Sequence, residues 1–441
     1  MKALLEQVRQ INTLGRAWRV ICENGRSSRS ITTRREIEEF SFDAESRLTK
    51  IQRQLNRGAF VFEPAKGVAI PKKGKNGIRP LVIAPIESRI VQRAVHDVLL
   101  RVPSIRRYAD NPFSFGGVKK REGGALAAVP GAIRVVVDSI DNGATYIIRS
   151  DISAFFTRIP KSTVTAIVRD ATNEPEFIEL FSRAITVELE NLASLRDRIW
   201  AFPIHEIGVA QGNSLSPLLG NLLLYDFDRE MNSGSCCCIR YIDDFIILAP
   251  DRKTAENQFT CGVKLLAKHG LEVSADKTFR GDVARGFAFL GIELANGAIR
   301  PSRESRQRWL ANVRNVLDDS MRAFRSHKKS GTMDRSFSLL RTLSEVGGMA
   351  SAWGAHYSFC NEKNVFSQLD GELDILLRQY LGCYSATIRG AVSKDRRRLL
   401  GIPLLEELAS RPFQWGKRGP VAQISPTIPA ESISPGVSHQ A

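Results

Sequence analysis

Three aspartates lie where the sequence could support metal chemistry. Asp151 ends the apolar run TYIIRSD. Asp243 and Asp244 interrupt a second apolar run, CCCIRYIDDFIILA. Burying unpaired carboxylates is costly, so these acids must reach solvent or be held by a cation. Oxygen ligands select hard cations such as Mg²⁺, and two such ions about 3.5–4 Å apart can stabilise both oxygens of an in-line phosphoryl displacement.

Positive charge complements these acids elsewhere in the chain. Residues 59–85 alternate short β-type runs with turn signals, which predicts a hairpin whose tip carries Lys72, Lys73 and Lys75. The whole chain has 63 Lys and Arg against 47 Asp and Glu, a net charge of +16. Such a charge indicates a polyanionic partner. From the residues alone, we expect a metal-dependent enzyme that acts on nucleic acid.

The elements that must position these side chains follow from the apolar patterns. Residues 145–151 predict a strand, and residues 236–249 predict a hairpin with its acids at the turn. If the two are neighbours in one sheet, the three carboxylates meet at its edge. Residues 161–205 predict mostly helix, and Asn213 or Ser214 is expected to cap a helix that runs towards residue 231.

Composition excludes several other classes of protein. The length of 441 residues suggests about three domains, and 43% hydrophobic residues exclude wholesale disorder. No apolar run approaches the ~18 residues of a membrane span. Glu6 and Arg9 break the N-terminal apolar run, so no signal peptide is predicted. Seven cysteines without a Cys-x-x-Cys pair indicate reduced thiols, and we expect a cytoplasmic protein.

Seven blocks, in the expected order, resemble those of reverse transcriptases. They are IRPLVIAPIESRIVQRAV (78–95), NPFSFGGVKKREGG (111–124), DISAFF (151–156), AQGNSLSP (210–217), YIDD (241–244), GLEVSADKT (270–278) and FLGIEL (289–294). The resemblance is to the bacterial branch, which includes group II intron, retron and "unknown group" antiphage enzymes.

The resemblance implies an α+β, right-hand polymerase fold with fingers, an antiparallel-sheet palm and a helical thumb. Residues 1–48 would form a basic helical extension, residues 49–300 the fingers and palm, and residues 301–412 a thumb-like domain that contains the helical region 303–405. Residues 413–441, rich in Pro and Ser, would form a disordered tail.

The resemblance also implies a set of catalytic residues. Asp151 and Asp243 would ligate two Mg²⁺ ions, for which Mn²⁺ is a possible substitute, together with the backbone carbonyl of Ile152. Asp244 would support the metal site and contact metal less directly. Lys277 would lie near the pyrophosphate and act as a general acid.

A second set would bind the incoming nucleotide and the primer. Lys72 and Arg79 would grip the triphosphate. Phe156 would clash with a ribose 2′-OH, which predicts deoxynucleotide preference, and one of Phe155 and Phe156 should be core. Gln211 would line the nucleotide pocket. Two glycines complete the set: Gly212, which would let backbone approach the base pair, and Gly291, in the turn that grips the primer.

The function implied is RNA-directed DNA polymerisation: dNTPs are joined into a DNA product on an RNA template. The template could be a cognate noncoding RNA, and no membrane partner is expected. The first choice of role is antiphage defence; a group II intron or retron enzyme is the alternative. Three rivals remain: an RNA-dependent RNA polymerase, which Phe156 argues against, a template-independent or protein-primed polymerase, and an RNA-binding scaffold with an inactive palm. The sequence does not predict the oligomeric state.

Overall fold

The computed structural model describes residues 3–26, 28, 30–71, 77–117, 128–330 and 333–407. Lys72, the rest of the predicted cationic tip and the predicted tail lie outside the described residues. The chain divides into two compact units: Met1–Leu310 with Ala352–Glu372, and Ala311–Ser351 with Leu373–Ala441. All of the candidate site residues belong to the first unit.

The first unit begins with four helices whose apolar faces pack into one core. Trp18 and Phe40 lie against each other there, with ring centroids 4.3 Å apart. The bounds are α1 (Leu4–Arg9), α2 (Ile11–Arg26), α3 (Ile31–Phe42) and α4 (Ala44–Asn56). These helices confirm the helical character that residues 1–48 predict.

The predicted hairpin is present. Strands β1 (Lys66–Pro71) and β2 (Ile78–Ile83) pair in antiparallel fashion, with Ile70 opposite Arg79. Three helices follow: α5 (Ile86–Leu99), α6 (Pro103–Ala109) and α7 (Ala128–Asp141). Helix α5 is buried along most of one side and packs against α2 and the first core.

A four-stranded antiparallel sheet forms the centre of the first unit. Its strands are β3 (Tyr146–Asp151), β4 (Cys237–Tyr241), β5 (Asp244–Ala249) and β6 (Phe279–Asp282), in the order β4-β5-β3-β6. Ile148 and Ile247 face the larger core, whereas Ile147 and Ile246 face a second core on the other side. Because both faces of the central strands are buried, their interiors are apolar, and carboxylates can reach water only at their ends.

Further helices lie between the strands of this sheet along the chain. They are α8 (Phe155–Arg158), α9 (Lys161–Thr172), α10 (Pro175–Ile185), α11 (Leu192–Leu195), α12 (Ser216–Leu223), α13 (Tyr225–Glu230) and α14 (Arg252–Ala267). Helix α14 packs against β3 and β5, α13 against β4, and α7 against β4 and β5. The prediction that residues 161–205 are mostly helical is confirmed by α9, α10, α11 and the 3-10 helix Arg196–Ala201. Between α10 and α11 the backbone pairs with Ala65: the Ala65 N–H donates to the Glu188 carbonyl at 2.8 Å, and the Glu190 N–H donates to the Ala65 carbonyl at 3.0 Å.

The predicted helix cap is also wrong. Leu215 is the residue before α12, and neither Asn213 nor Ser214 caps it. The Asn213 side chain instead accepts a hydrogen bond from the Leu215 N–H at 2.9 Å, and its amide donates to the Ala184 carbonyl at 2.9 Å. The side chain therefore ties the turn to α10.

A three-stranded antiparallel sheet follows, formed by β7 (Phe287–Phe289), β8 (Ile292–Ala295) and β9 (Ala298–Pro301). Gly291 lies in the turn between β7 and β8 at φ +78°, which favours glycine. A Cβ atom there would lie 2.9 Å from the Ser305 hydroxyl. The structure therefore explains this glycine by local packing.

Long helices form the remainder of the described chain. They are α15 (Arg303–Ser330), α16 (Leu339–His356), α17 (Asn364–Ile388) and α18 (Ser393–Leu400), and they confirm the helical pattern predicted for residues 303–405. In the second unit Phe324 stacks on Tyr380 with centroids 5.8 Å apart. Within the described residues, no helix is both long and apolar enough to cross a membrane.

Candidate active site

The pairing of β3 with β5 brings the predicted acids to one edge of the central sheet. Asp151 is the last residue of β3 and lies directly opposite Asp244, the first residue of β5. Asp243 lies in the two-residue turn between β4 and β5, next to Ile242. The Ile152 N–H donates to the Asp243 carbonyl at 2.8 Å, which fastens this turn to the end of β3. The predicted juxtaposition of strand and hairpin is confirmed.

Lys277 approaches the acids from the opposite side of β3. The chain that precedes β6 pairs with the end of β3, where the Ser274 N–H donates to the Asp151 carbonyl at 2.8 Å. Lys277, three residues further on, places its Nζ 2.6 Å from Asp151 Oδ1. The Lys277 side chain is 47% exposed and that of Asp151 only 11%, so the ammonium lies at the mouth of the site.

The acids repel each other in a partly dry environment. Burial and, to a smaller extent, the negative charges of Asp151 and Asp243 together raise the pKa of Asp244 to about 6. Burial and Asp151 also raise the pKa of Asp243. Lys277, Arg149 and Arg79 oppose these shifts but do not cancel them. The nearby cations therefore do not restore the ordinary pKa values of Asp243 and Asp244.

This donor set fits a hard divalent cation. Carboxylate oxygens are the preferred ligands of Mg²⁺ and Mn²⁺. Burial and the neighbouring carboxylates both disfavour the charged forms of Asp243 and Asp244, and a bound cation would favour them. Among the described residues, none of the backbone hydrogen bonds found outside the helices and strands ends on the Ile152 carbonyl.

The described arrangement is not a finished coordination shell. Within the described part of the chain, no three Asp, Glu, His or Cys side chains lie close enough together to hold one ion. One oxygen of Asp151 is bound by Lys277 instead. The metal-binding roles of Asp151, Ile152, Asp243 and Asp244 therefore remain predictions.

The predicted nucleotide-binding residues border the same edge. Arg79 is exposed on β2, and its charge opposes the rise in the pKa of Asp243. The Gln211 carbonyl accepts from the Val82 N–H at 3.1 Å, so its backbone is attached to the hairpin strand β2. Gly212 follows at φ +115°, where a Cβ would lie 2.8 Å from the Val82 carbonyl. This glycine thus permits close approach to β2, a reason that its sequence context did not suggest.

One of the two phenylalanines is core, as predicted. Phe155 is 2% exposed and lies in the larger core, whereas Phe156 is partly exposed on α8 and packs against the same core. The two diverge because they lie in a short helix that begins after Ala154 at φ +51°, and not because of strand alternation. The sugar-gate role of Phe156 stays a prediction. Lys72 lies outside the described residues.

Sequence reasoning missed a buried polar network under the Asp243 turn. Arg240 and Asp228 form an ion pair whose side chains are 0% and 1% exposed. Arg240 interrupts the same apolar run as the two aspartates, and that unexplained charge was the available signal. Its partner lies on a different element, α13, which no local pattern indicates.

Comparison with known proteins now identifies the family. The family described as "Reverse transcriptase (RNA-dependent DNA polymerase)" matches residues 70–294, which is about half of the chain. This region contains Asp151, Asp243 and Asp244. The chain belongs to the reverse transcriptase family. The right-hand polymerase fold expected from the sequence agrees with this assignment and with the mixed helical and antiparallel architecture.

Individual relatives share this region. The chain is 27% identical to protein YkfC of Escherichia coli, with 55% of this chain and 69% of YkfC covered. It is 25% identical to the group II intron-encoded protein LtrA of Lactococcus lactis, covering 42% of this chain but only 28% of LtrA. Among solved structures, apo telomerase from Candida tropicalis matches with 14% identity and a TM-score of 0.41, over 77% of this chain and 69% of that one.

The raised pKa of Asp244 predicts a pH-dependent effect on stability. Since the folded-state pKa of about 6 lies above the ordinary value of 3.8, the free energy of unfolding of the wild type should fall as pH rises from about 4 through about 6. Asp244→Asn removes this effect. In EDTA at pH 8 it should raise the free energy of unfolding by about 1–2 kcal/mol, and the gain should vanish near pH 4.

Urea denaturation at several pH values measures this difference. Asp170→Asn, at an exposed helical carboxylate, is the matched control and should show no such pH-dependent gain. If the stability of Asp244→Asn relative to wild type is the same at pH 4 and pH 8, the environment of Asp244 does not raise its pKa and the prediction is wrong.

Proposed function

We propose that this chain extends a primer with deoxynucleotides copied from an RNA template, and that Asp151, Asp243 and Asp244 hold the two divalent ions that the reaction uses. The observation that carries the proposal is the β3–β5 register, which places Asp151 opposite Asp244 with Asp243 in the adjoining turn. The reverse transcriptase region, residues 70–294, contains all three acids. Mg²⁺ is the expected ion and Mn²⁺ a substitute.

The reaction exchanges one P–O bond for another. The primer 3′ oxygen forms a bond to the α-phosphorus of the incoming nucleotide, the bond from that phosphorus to the β-phosphate oxygen breaks, and pyrophosphate leaves. The bound ions supply charge stabilisation for the attacking and leaving oxygens. Arg79, exposed beside Asp243, neutralises phosphate charge, and Lys72 is proposed to do the same.

Lys277 is the group that can move a proton onto the leaving pyrophosphate. Its Nζ contacts Asp151 Oδ1, and about half of its side chain is exposed to the space in front of the acids. An ammonium in that place can donate a proton to the pyrophosphate oxygen as the P–O bond breaks. The proton of the primer hydroxyl passes to solvent.

The nucleic acid partners follow from the charge and the family. The net charge of +16 favours phosphodiester binding, which we expect to weaken steeply with salt. The proposed partners are an RNA template, which a cognate noncoding RNA could supply, the DNA product and dNTPs. Gln211, attached to β2 through its backbone, is proposed to line the nucleotide pocket beside Phe156.

A polymerisation assay tests this function directly. Protein purified with its bound nucleic acid is incubated with Mg²⁺, labelled dNTPs and a primed RNA, and the product is sequenced. The double substitution Asp243→Ala/Asp244→Ala should reduce DNA synthesis by about 10³-fold or more, because it removes two of the three ion-binding carboxylates.

The product sequence separates the rivals. DNA complementary to the RNA supports templated synthesis, whereas a product unrelated to any RNA present would favour the template-independent alternative. A wild-type protein that makes no DNA with either Mg²⁺ or Mn²⁺ would contradict the proposal.

Phe156→Ala tests the sugar gate. Removing the ring should admit a ribose 2′-OH, so the preference for dNTPs over rNTPs should fall by about 10–100-fold while DNA synthesis continues. Phe42→Ala, at a ring that is 90% exposed, is the control and should keep the wild-type preference. Unchanged selectivity in Phe156→Ala would remove the gate assignment, and a wild type that prefers rNTPs would favour the RNA polymerase alternative.

The role in antiphage defence stays a prediction, and the intron-encoded relative LtrA keeps the group II intron alternative open. If the chain defends its host through DNA synthesis, expression of the wild type with its neighbouring genomic sequence should lower phage plaque counts. Asp243→Ala/Asp244→Ala should restore them. Full protection by that double variant would instead favour the RNA-binding scaffold.

A further inference from the structure

The buried ion pair beneath the Asp243 turn is costly and needs an explanation. Arg240 Nε donates to Asp228 Oδ1 at 2.7 Å and its Nη2 to Oδ2 at 2.6 Å, with both side chains fully buried. Asn111 adds a third donor to Asp228 at 2.8 Å. Removing charges from water is costly, and apolar residues of similar volume are often at least as stabilising as a buried ion pair. Stability alone therefore does not account for the pair.

The remaining arm of Arg240 holds the catalytic turn. Its Nη1 donates to the Ile242 carbonyl at 3.0 Å. Ile242 is β-branched and has φ +63°, a conformation that is strained for such a residue and persists only when its surroundings impose it. The carbonyl of the next residue, Asp243, accepts from the Ile152 N–H. The turn is thus fixed from two sides.

A segment of the NPFSFGG block packs against the same turn. The Phe115 N–H donates to the Arg240 carbonyl and the Arg240 N–H donates to the Phe113 carbonyl, each at 2.9 Å. Gly116 lies so close that a Cβ atom there would be 2.4 Å from the Ile242 nitrogen and 2.4 Å from its Cγ1. This segment, which belongs to one of the seven blocks found in the sequence, therefore supports Ile242.

Asn221 of α12 joins these parts. Its Oδ1 accepts from Arg240 Nη2 at 3.2 Å and from the Ser114 hydroxyl at 2.9 Å, while its amide donates to the Gly116 carbonyl at 3.2 Å. Asn221 is only 3% exposed. The amide group thus links the ion pair to the segment that contacts the turn.

We propose that Arg240, Asp228, Asn221 and Gly116, here called the turn cradle, are positioning residues that hold Asp243 in its catalytic place by imposing the left-handed conformation of Ile242. The proposal rests on the proposed function in that Asp243 is taken to bind a divalent ion. The turn cradle acts through Ile242 and contributes no ligand itself. Its loss should therefore weaken ion binding and lower kcat, and leave the KM for dNTP nearly unchanged.

Two independent changes test the turn cradle. Arg240→Met/Asp228→Leu replaces the ion pair with apolar side chains, so that no unpaired charge is left buried. Its control is Lys161→Met. Lys161 is also a buried cation, but it donates to the backbone carbonyls of Pro203 and His205 and not to the Asp243 turn. Gly116→Ala pushes on Ile242 without any change of charge. Gly15→Ala, where a Cβ meets no atom within 4 Å, is its control.

Mn²⁺ binding, measured from the free-ion electron paramagnetic resonance signal, is the readout that needs no activity. Both turn-cradle variants should bind Mn²⁺ about tenfold more weakly than their controls and lower kcat on a primed RNA by about 10–100-fold, because a misplacement of about 1 Å has effects of that size. The KM for dNTP should stay within about twofold, because the turn cradle contains none of the residues proposed to contact the nucleotide. Circular dichroism and thermal melting verify that each variant is folded.

Several outcomes would overturn the proposal. Folded variants with wild-type Mn²⁺ affinity and kcat would show a merely structural network, and a raised KM with unchanged kcat would show a substrate-binding one. If Arg240→Met/Asp228→Leu does not fold, Gly116→Ala decides. If the wild type makes no DNA, the proposed function fails, and the Mn²⁺ comparison still decides whether the turn cradle positions Asp243.

Discussion

Repulsion among three carboxylates at one sheet edge is the constraint on which the rest of the structure depends. The β3–β5 register sets Asp151 against Asp244, and the turn adds Asp243. Burial and the repulsion between these groups favour their protonated forms, and the pKa of Asp244 rises to about 6. They are kept together because the strands that carry them lie between two apolar cores and cannot shift without exposing both.

The surrounding cations are arranged to balance this charge only in part. Lys277 contacts Asp151 directly, whereas Arg149 and Arg79 act on the other two acids through space. Full neutralisation by protein groups would leave no electrostatic reason to bind a divalent ion. The deficit that remains is what suits the site to one.

The main features of the site could be predicted because they are local. Asp151, Asp243 and Asp244 are charged residues at the ends of apolar runs or inside them. These runs predict the strands, and so they also predict which strand ends carry the acids. The turn cradle could not be predicted, since Asp228 and Asn221 lie on helices and Gly116 comes more than a hundred residues before the turn. The pairing of the segment between α10 and α11 with Ala65, also more than a hundred residues earlier, was missed because no local pattern indicates it. The packing reason for Gly212, the Val82 carbonyl, likewise depends on a contact between distant segments.

The contact between Lys277 and Asp151 means that a cation already lies at the proposed metal site. If Asp151 binds a divalent ion as proposed, that ion would compete with the Lys277 ammonium, whose Nζ lies 2.6 Å from Asp151 Oδ1. The net affinity for the ion would then be the difference between two attractions, smaller than either. Ion binding would thereby also release the side chain proposed as the proton donor.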